Sequence, residues 1–329
     1  MRVLICLILL GCTYTYGQNI KVLTSATKTS IRGLSVVNER VIWVSGSSGT
    51  VGRSLDSGIT WKWFAIKGFE KADFRDIEAF DATTAVIMAV AEPAYILKTI
   101  DGGETWKKVY ENKTKGMFLD AMEFWNEQSG IAIGDPINNK FFILRTFDGG
   151  DTWREIPQQN LPKADSGEAC FASSGTNVRN LAKDEACFVS GGLSAHLFIR
   201  NQKYVVPIVQ GKETTGANSV AVKNKHTLIV VGGDFNTPDS NDKNCAITFD
   251  GGKTWKLPKV SPHGYRSCVE YLGKKRWICC GLNGVDYSTD DGNTWLLISK
   301  ESYHVCLRVR NANTVFLAGN NRRIAKLDY

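Results

Sequence analysis

Several common signs of catalysis, metal binding and nucleic-acid binding are missing from this 329-residue sequence. It contains only four histidines and no Cys-x-x-Cys pair, so a zinc site is not expected. It has no block of like charges and a formal net charge of only +7, which argues against a nucleic-acid partner. The motifs of α/β-hydrolases, P-loop proteins and zinc proteases are also absent. We therefore expect no cofactor and no metal.

Proline and helical patterns are scarce as well. The chain has 8 prolines against 31 glycines, a balance that suits many tight turns better than a disordered linker. No convincing amphipathic helix occurs after residue 17, and the apolar runs are short. These features favour an all-β fold.

The first 17 residues are predicted to be a signal peptide. Arg2 supplies a basic end, and VLICLILL (residues 3–10) is an apolar stretch too short to span a bilayer. Two processing routes stay open: cleavage before Gln18, or lipidation of Cys12 within LLGC (residues 9–12), a sequence that resembles a bacterial lipobox. Both routes predict an exported protein of bacterial type, located in the periplasm, on the cell surface or outside the cell.

One eight-residue pattern occurs five times, as SLDSGITW, TIDGGETW, TFDGGDTW, TFDGGKTW and STDDGNTW. Successive aspartates of these copies are 45, 47, 102 and 40 residues apart. Because 102 is about two repeats, we expect a copy without the motif residues near residue 199, in HLFIRNQKYVVPI (residues 196–208). Units of this length that contain four short strands are typical of β-propeller blades.

The ends of the chain fix the predicted number of blades. RIAKLD (residues 323–328) has the form of a third strand, and NIKVLTS (residues 19–25) has the form of a fourth. We therefore predict one all-β domain over residues 18–329, a seven-bladed propeller of four-stranded blades whose N-terminal strand completes the last blade. The predicted first strands lie around Leu34, Ile77, Ala121, Cys170, Val220, Val269 and Leu307.

Every residue of the repeated pattern has a local structural role. We expect the aspartate to accept a backbone N–H two residues on, the glycine to adopt a positive φ, and the tryptophan to be buried under the hairpin. One carboxylate per turn is too few for a calcium loop. The residues assigned this structural role are Asp56, Trp61, Asp101, Trp106, Asp148, Trp153, Asp250, Trp255, Asp290 and Trp295.

The pattern S/T-x-D-x-G-x-T-W is that of Asp-box, or BNR, repeats, and the chain is identified as a member of the Asp-box propellers. VSGSSGTVGRSLDSGITW (residues 44–61) resembles the exported proteins related to the photosystem II stability/assembly factor, which belong to the sialidase-like and YVTN-like propeller superfamily. That resemblance implies a seven-bladed propeller that binds a protein partner. Sialidases share the box, and there it lies away from the active site.

Charged residues gather on the face opposite the boxes, where first strands begin and second strands connect to third strands. The candidate binding residues at this mouth of the channel are Arg32, Arg75, Asp76, Glu92, Asp120, Asp135, Glu168, Asp234 and Arg266. We expect Arg32, Arg75 and Arg266 to bind carboxylates of a protein or peptide partner. The alternative is that these side chains only pair with one another in a water-filled channel.

A glycoside hydrolase or a glycan-binding propeller is the rival hypothesis. The three arginines resemble the triad with which sialidases hold a carboxylate, and Tyr265 or Tyr287 with Glu270 could supply a nucleophile, with Asp76 as the acid. However, Arg32 is followed by Gly-Leu instead of Ile-Pro, and sialidases usually have six blades. A non-catalytic binding protein is therefore the main prediction.

Seven cysteines follow residue 18, an odd number that leaves at least one unpaired. The sequence ACF occurs at residues 169–171 and 186–188, and pairing these segments about a turn near Arg179 would set Cys170 opposite Cys187. A disulfide between them and two buried free thiols are both consistent with this pattern.

Overall fold

The computed structural model describes residues 19–25 and 27–329. The predicted signal peptide, with the cleavage position before Gln18 and the lipidation candidate Cys12, lies outside these residues. Within the described part of the chain, the only helical segments are two single turns, Gln158–Asn160 and Asn320–Arg322. None of the helices there is long and apolar enough to cross a membrane.

The described strands form seven antiparallel sheets arranged as seven blades, so the predicted fold class is confirmed. The first strand of each blade is innermost and the fourth is outermost. Blades one to three contain β2 (Ile31–Val36), β3 (Ile42–Gly46), β4 (Thr50–Ser54) and β5 (Lys62–Ala65); β6 (Phe74–Ala79), β7 (Ala85–Ala89), β8 (Ala94–Thr99) and β9 (Lys107–Asn112); and β10 (Leu119–Phe124), β11 (Gly130–Ile137), β12 (Lys140–Thr146) and β13 (Arg154–Glu155).

The later blades are less regular. Blade four contains β15 (Val178–Ala182), β16 (Glu185–Val189), β18 (His196–Ile199) and β19 (Gln202–Val205). Blade five contains β20 (Thr215–Val222), β21 (Leu228–Asp234) and β22 (Cys245–Thr248). Two short strands, β14 (Glu168–Ala169) and β17 (Gly191–Gly192), join the inner edge of blade five. The fourth strand of blade five is reduced to one bridge between Ile247 and Lys256. Blade six contains β23 (Cys268–Gly273), β24 (Arg276–Gly281), β25 (Gly284–Ser288) and β26 (Leu296–Ser299).

The N-terminal strand closes the ring as predicted. Blade seven contains β27 (Val305–Arg308), β28 (Thr314–Ala318) and β29 (Ile324–Asp328), and its outermost strand is β1 (Lys21–Thr24). Lys21 pairs with Lys326 and Val22 with Ala325. Because the two ends of the chain share one sheet, neither leaves a long unpaired strand edge at the closure.

The copy without motif residues is confirmed as a strand, a turn and a strand. Strands β18 and β19 pair antiparallel from His196 opposite Val205 to Ile199 opposite Gln202. The turn between them contains Arg200 at a φ of 54°. The hydrophobic pattern of the two strands therefore keeps this blade in the ring after its Asp box is lost.

The predicted first strand around Cys170 is wrong. The first strand of blade four is β15, which begins at Val178, and the residues before it form an insertion between blades three and four. Cys187 stands opposite Arg179, not opposite Cys170, and both cysteines are buried free thiols. The disulfide alternative therefore fails. The repeated ACF misled the strand pairing because only its second copy lies in blade four.

The core consists of apolar clusters between neighbouring blades. Blade two buries one side against blade one, through Ile77, Ile87 and Leu97, and the other side against blade three, through Val86, Met88 and Ile96. The starts of the first strands face one end of the central channel, and the Asp-box turns lie toward the other end. We refer to these ends as the mouth and the box end.

Candidate functional site

The Asp boxes are self-contained turns. In the second box, the Asp101 carboxylate accepts the backbone N–H of Thr105 at 3.0 Å and the hydroxyl of Thr105, and the Thr99 hydroxyl donates to it at 2.8 Å. The same three bonds recur in the other four boxes. The carboxylate therefore reaches four residues along the chain, not the two that were predicted.

The other box residues behave largely as expected. Gly103 has a φ of 91°, a backbone conformation that favours glycine. The indole N–H groups of Trp61 and Trp106 donate to the carbonyls of Gly58 and Gly103. The Thr105 hydroxyl and backbone N–H hold the pKa of Asp101 at about 2. All the hydrogen bonds described for the carboxylate are made within the turn, which gives it a structural role there.

The mouth contains a cavity of about 440 Å³ with cationic and aromatic walls. Of the nine candidate residues, three line it: Arg32, Arg75 and Asp135. Its aromatic walls are formed by Phe118, Phe171, Phe235 and Tyr265. Such a pocket combines apolar area with a few polar groups that can orient a ligand.

Arg32 carries a charge without a partner. Its guanidinium makes one described hydrogen bond, to the carbonyl of Ser173 at 3.2 Å, and no described carboxylate lies within ion-pair distance of it. Burial, followed by repulsion from Arg75, lowers its pKa from the usual value. Arg75 differs, because its Nε donates to Asp73 at 2.8 Å. Arg32 thus has free donor capacity for an anion and no ion-pair partner among the described residues.

Arg266 does not reach the mouth cavity, which corrects the sequence-based expectation. Ile31, Leu119 and Arg266 each donate their backbone N–H to a carbonyl of the preceding blade. Arg266 therefore occupies the interior position of Ile31, and Ser267 occupies the position of Arg32. The Arg266 side chain is fully buried, and its Nε donates to Asp286 at 2.6 Å. The two side chains form a buried ion pair within blade six.

The remaining candidates have structural partners away from the cavity. Asp76 accepts the backbone N–H groups of Ile77 and Met122, and burial raises its pKa to about 8. Exposed Glu92 accepts the N–H of Gly116. Asp234 accepts the N–H of Asn236, although the adjacent Phe235 lines the cavity.

Glu168 belongs to a buried network beside the channel. Its carboxylate lies 2.9 Å from His196 Nδ1 and 3.1 Å from Lys203 Nζ, and it accepts the hydroxyl proton of Ser190. Lys203 also pairs with Asp165 at 2.7 Å. Because the one ammonium group of Lys203 pairs with both carboxylates, we describe this group as a structural ion-pair network.

Two carboxyl groups on blade three lie close to the arginines. Asp135 lines the cavity and accepts the N–H of Cys170 at 2.9 Å, and burial raises its pKa to about 6. Asp120 is fully buried at the inner-strand position that corresponds to Arg32 and Arg75. Burial, followed by repulsion from Asp135, raises its pKa well above the usual value.

Sequence reasoning missed a segment that crosses the channel, residues 170–177, which we call the channel segment. It contacts five different blades through Asp135, Arg75, Arg32, Asn218 and Ser267. All the non-glycine residues from Ala172 to Asn177 are buried. The segment forms the floor of the mouth cavity and separates it from the box end. The long spacing between the third box and the degenerate one is the signal that could have revealed it.

His304 was also missed as a mouth residue. It lines the cavity, and its Nε2 lies 3.0 Å from Asn320 Oδ1 and 3.2 Å from the Ser30 hydroxyl. Nδ1 is buried and has no partner among the described residues. Burial, followed by repulsion from Arg32, lowers the pKa of His304 to about 4. The mouth therefore places a neutral imidazole beside the Arg32 guanidinium.

Tyr265 and Glu270, one of the two nucleophile pairs proposed for a sialidase, are not brought together. Tyr265 lines the mouth cavity and donates its hydroxyl to Asn218 at 2.7 Å. Glu270 lines a separate cavity of about 260 Å³ at the box end, which is occupied by the ion pairs of Glu123 with Arg179 and of Glu270 with Arg308. Tyr265 and Glu270 therefore cannot act as a nucleophile pair.

The model of the BNR/Asp-box repeat family matches residues 246–257, which contain the box of blade five. The chain is an Asp-box β-propeller. No curated protein sequence matches it.

Solved structures share the fold of this Asp-box propeller at low sequence identity. YCF48 bound to D1 peptide has a TM-score of 0.67 at 16% identity, over 94% of this chain and 95% of that chain. YCF48 from Cyanidioschyzon merolae has a TM-score of 0.66 at 14% identity, over 94% and 98%. The WD40 β-propeller domain of Doa1 has a TM-score of 0.63 at 10% identity, over 94% and 96%. These TM-scores, over most of both chains, establish a common fold.

Proposed function

We propose that this Asp-box propeller is an exported, non-catalytic protein that binds a peptide segment of a protein partner at its mouth. The single observation that carries the proposal is the unpaired guanidinium of Arg32 in a cavity walled by aromatic side chains. A carboxylate of the peptide, at its C-terminus or on an acidic side chain, would pair with Arg32. Apolar side chains would pack on Phe118, Phe171 and Phe235.

The fold similarity supports the same proposal. A propeller with a TM-score of 0.67 to this chain was solved with a peptide bound, the D1 peptide on YCF48. Arginines with aromatic neighbours are enriched in protein interfaces, because they provide planar donors and large contact areas. The assembly-factor resemblance of the sequence points in the same direction.

Peptide binding can be tested with a library of random peptides displayed with free C-termini, followed by synthetic binders in fluorescence anisotropy. We expect Arg32→Ala to weaken binding at least about tenfold, since a charge-assisted pair contributes roughly 1.4 kcal/mol or more. Arg154→Ala, on an exposed outer strand, is the matched control and should leave the affinity unchanged. Equal affinities of wild type and Arg32→Ala would refute the assignment.

The same peptides can show which carboxylate of the peptide pairs with Arg32. Amidating the C-terminus removes the terminal carboxylate and leaves acidic side chains intact. If the terminal carboxylate pairs with Arg32, amidation should weaken peptide binding to the wild type by about the same factor as the Arg32→Ala substitution does. Amidation should then weaken binding to the Arg32→Ala variant very little further. Replacement of acidic side chains by amides gives the complementary measurement.

Export can be tested on the mature N-terminus. We expect mass spectrometry of the native protein to show either a chain that begins at Gln18 or one that begins at a lipidated Cys12. A full-length chain that retains residues 1–17 and stays in the cytoplasm would contradict the exported location.

A glycoside hydrolase is the second candidate, and the carboxyl groups of blade three favour it. Asp135 lines the mouth cavity, Asp120 is buried near it on the same blade, and burial raises the pKa of both carboxyl groups. Neighbouring carboxyl groups with perturbed pKa values are the groups from which glycoside hydrolases take an acid and a base. Aryl glycosides, including sialosides, are the substrates to assay. Hydrolysis that disappears in Asp135→Asn but persists in Asp234→Asn would overturn the non-catalytic proposal.

A further inference from the structure

Three buried cysteines meet between blades six and seven, away from the mouth cavity. Cys268 and Cys280 stand directly opposite each other on β23 and β24, and Cys306 comes from β27 of the next blade. All three are fully buried. Their Sγ atoms lie within 4.8 Å of one another, and those of Cys268 and Cys306 are 3.8 Å apart.

We propose that these three thiols form a binding site for a soft monovalent metal ion of the Cu(I) class. Soft thiolate ligands select Cu(I) over hard cations. Three sulfurs in a plane, each about 2.3 Å from a central ion, stand about 4 Å apart. The spacing between Cys268 and Cys306 already fits this trigonal arrangement, so little rearrangement is needed.

The backbone holds the thiols at this spacing. The N–H of Cys306 donates to Cys268 Sγ at 3.4 Å, and Cys268 Sγ donates to the carbonyl of Cys306 at 3.3 Å. These reciprocal bonds fix the two first strands of neighbouring blades against each other. Cys280 is fixed by its direct register with Cys268. A preorganised set of ligands loses less entropy on binding an ion.

Other uses of the cluster fit less well. Structural zinc takes four ligands, and among the described residues no fourth His, Asp, Glu or Cys belongs to this group. A disulfide requires sulfurs about 2.05 Å apart, much closer than the observed 3.8 Å. Binding of Cu(I) displaces thiol protons, so the affinity should rise with pH.

Titration of the reduced full-length protein with Cu(I) under anaerobic conditions tests the site, with a chromophoric Cu(I) chelator as competitor. Because the thiols are buried, the ion is offered both to the folded chain and during refolding. We expect one Cu(I) per chain by either route and a melting temperature raised by about 4 °C or more. X-ray absorption should show three sulfurs at about 2.3 Å.

Matched alanine variants assign the ligands. Cys268→Ala, Cys280→Ala and Cys306→Ala should each weaken binding at least about 100-fold relative to wild type. Cys187→Ala and Cys245→Ala remove buried thiols outside the cluster and should retain one Cu(I). The melting curve of each apo variant separates loss of binding from loss of folding. If one of the three does not fold, the sulfur count from X-ray absorption on wild type decides.

Three outcomes would overturn the proposal. The first is the absence of stoichiometric Cu(I) by both loading routes. The second is undiminished binding in folded Cys268→Ala or Cys306→Ala. The third is Zn(II) bound more tightly than Cu(I), or a Cys268–Cys306 disulfide formed instead of the metal complex.

Discussion

The box turns favour the charged form of their ionisable groups, whereas burial at the mouth favours the neutral form. In the boxes, hydrogen bonds from Thr105 keep the pKa of Asp101 at about 2, so its carboxylate stays charged. At the mouth, burial raises the pKa of Asp135 to about 6 and lowers that of His304 to about 4, so burial favours the neutral forms. Each box supplies its own partners within eight residues, whereas the mouth is built from residues of many blades.

This difference separates the scaffold from the candidate site. A carboxylate whose described hydrogen bonds are all made within a turn is committed to that turn. A cation that the fold has partly removed from water without an anionic partner among the described residues, such as Arg32, gains on binding one. The largest difference in stability is expected between variants of Arg266 and Arg32, two arginines in similar sequence positions that have different surroundings in the structure.

Arg266→Ala should destabilise the fold by about 3–5 kcal/mol, because it leaves the buried Asp286 carboxylate without its partner. Arg32→Ala should change the free energy of unfolding by less than about 1 kcal/mol, since it breaks one hydrogen bond to a carbonyl. Urea denaturation of both variants measures the contrast. Equal losses of stability would contradict the interior position of Arg266.

His304 should give the wild type a pH-dependent stability that the variant His304→Gln lacks. The folded pKa of about 4 lies below the ordinary value of 6.5, so the neutral form is favoured by folding. The associated stability is complete above about pH 6.5 and is lost as the pH falls toward 4, by roughly 2–4 kcal/mol. Denaturation curves from pH 7 to pH 4 measure it. Parallel profiles for wild type and His304→Gln would contradict the buried neutral state.

Gly103→Ala should destabilise one box turn by about 1–3 kcal/mol. The residue has a φ of 91°, and an added Cβ would approach the Phe64 ring to 3.0 Å. Peptide binding at the mouth should be unaffected, because the turn lies at the opposite end of the channel. Loss of peptide binding in a folded Gly103→Ala protein would contradict the conclusion that the box turns serve only the scaffold and not the binding site.

The smallest expected effect concerns the acid limb of the stability curve. Asp101 has a folded pKa of about 2, below its ordinary value of 3.8, so its contribution is present above about pH 4 and is lost as the pH falls toward 2. Asp101→Asn should therefore flatten the stability profile slightly between these values. Asp242→Asn, on an exposed loop, is the control. Identical profiles for Asp101→Asn and wild type would show that the box carboxylate does not contribute.

The fold could be predicted because its information is local and repeated. The boxes fix the blade period, and alternating apolar residues identify the strands between them. The degenerate blade could be predicted from the spacing of the boxes together with the strand pattern, which His196–Ile199 and Gln202–Val205 keep without a box. Ring closure could be predicted because the sequence patterns of the two end segments match those of a third and a fourth strand of a blade.

The site could be predicted only in part, because it depends on register and on an insertion. The sequence places an arginine near the start of three first strands, but a shift of one residue in blade six sends Arg266 into the interior and Ser267 to the channel. The channel segment was mistaken for a strand, and with it the floor of the cavity was missed. His304 gave no signal of its own.

The sequence by itself therefore determined the repeat, the blade number and the closure, because hydrogen bonds within a turn and apolar alternation within a strand are set by neighbouring residues. Only the tertiary structure decided that Arg32 lacks an ion-pair partner, that Arg266 has Asp286, and that three cysteines meet between blades six and seven. These properties depend on distances between residues far apart in the chain, and a change of one residue in strand register reverses which side of a sheet a side chain occupies.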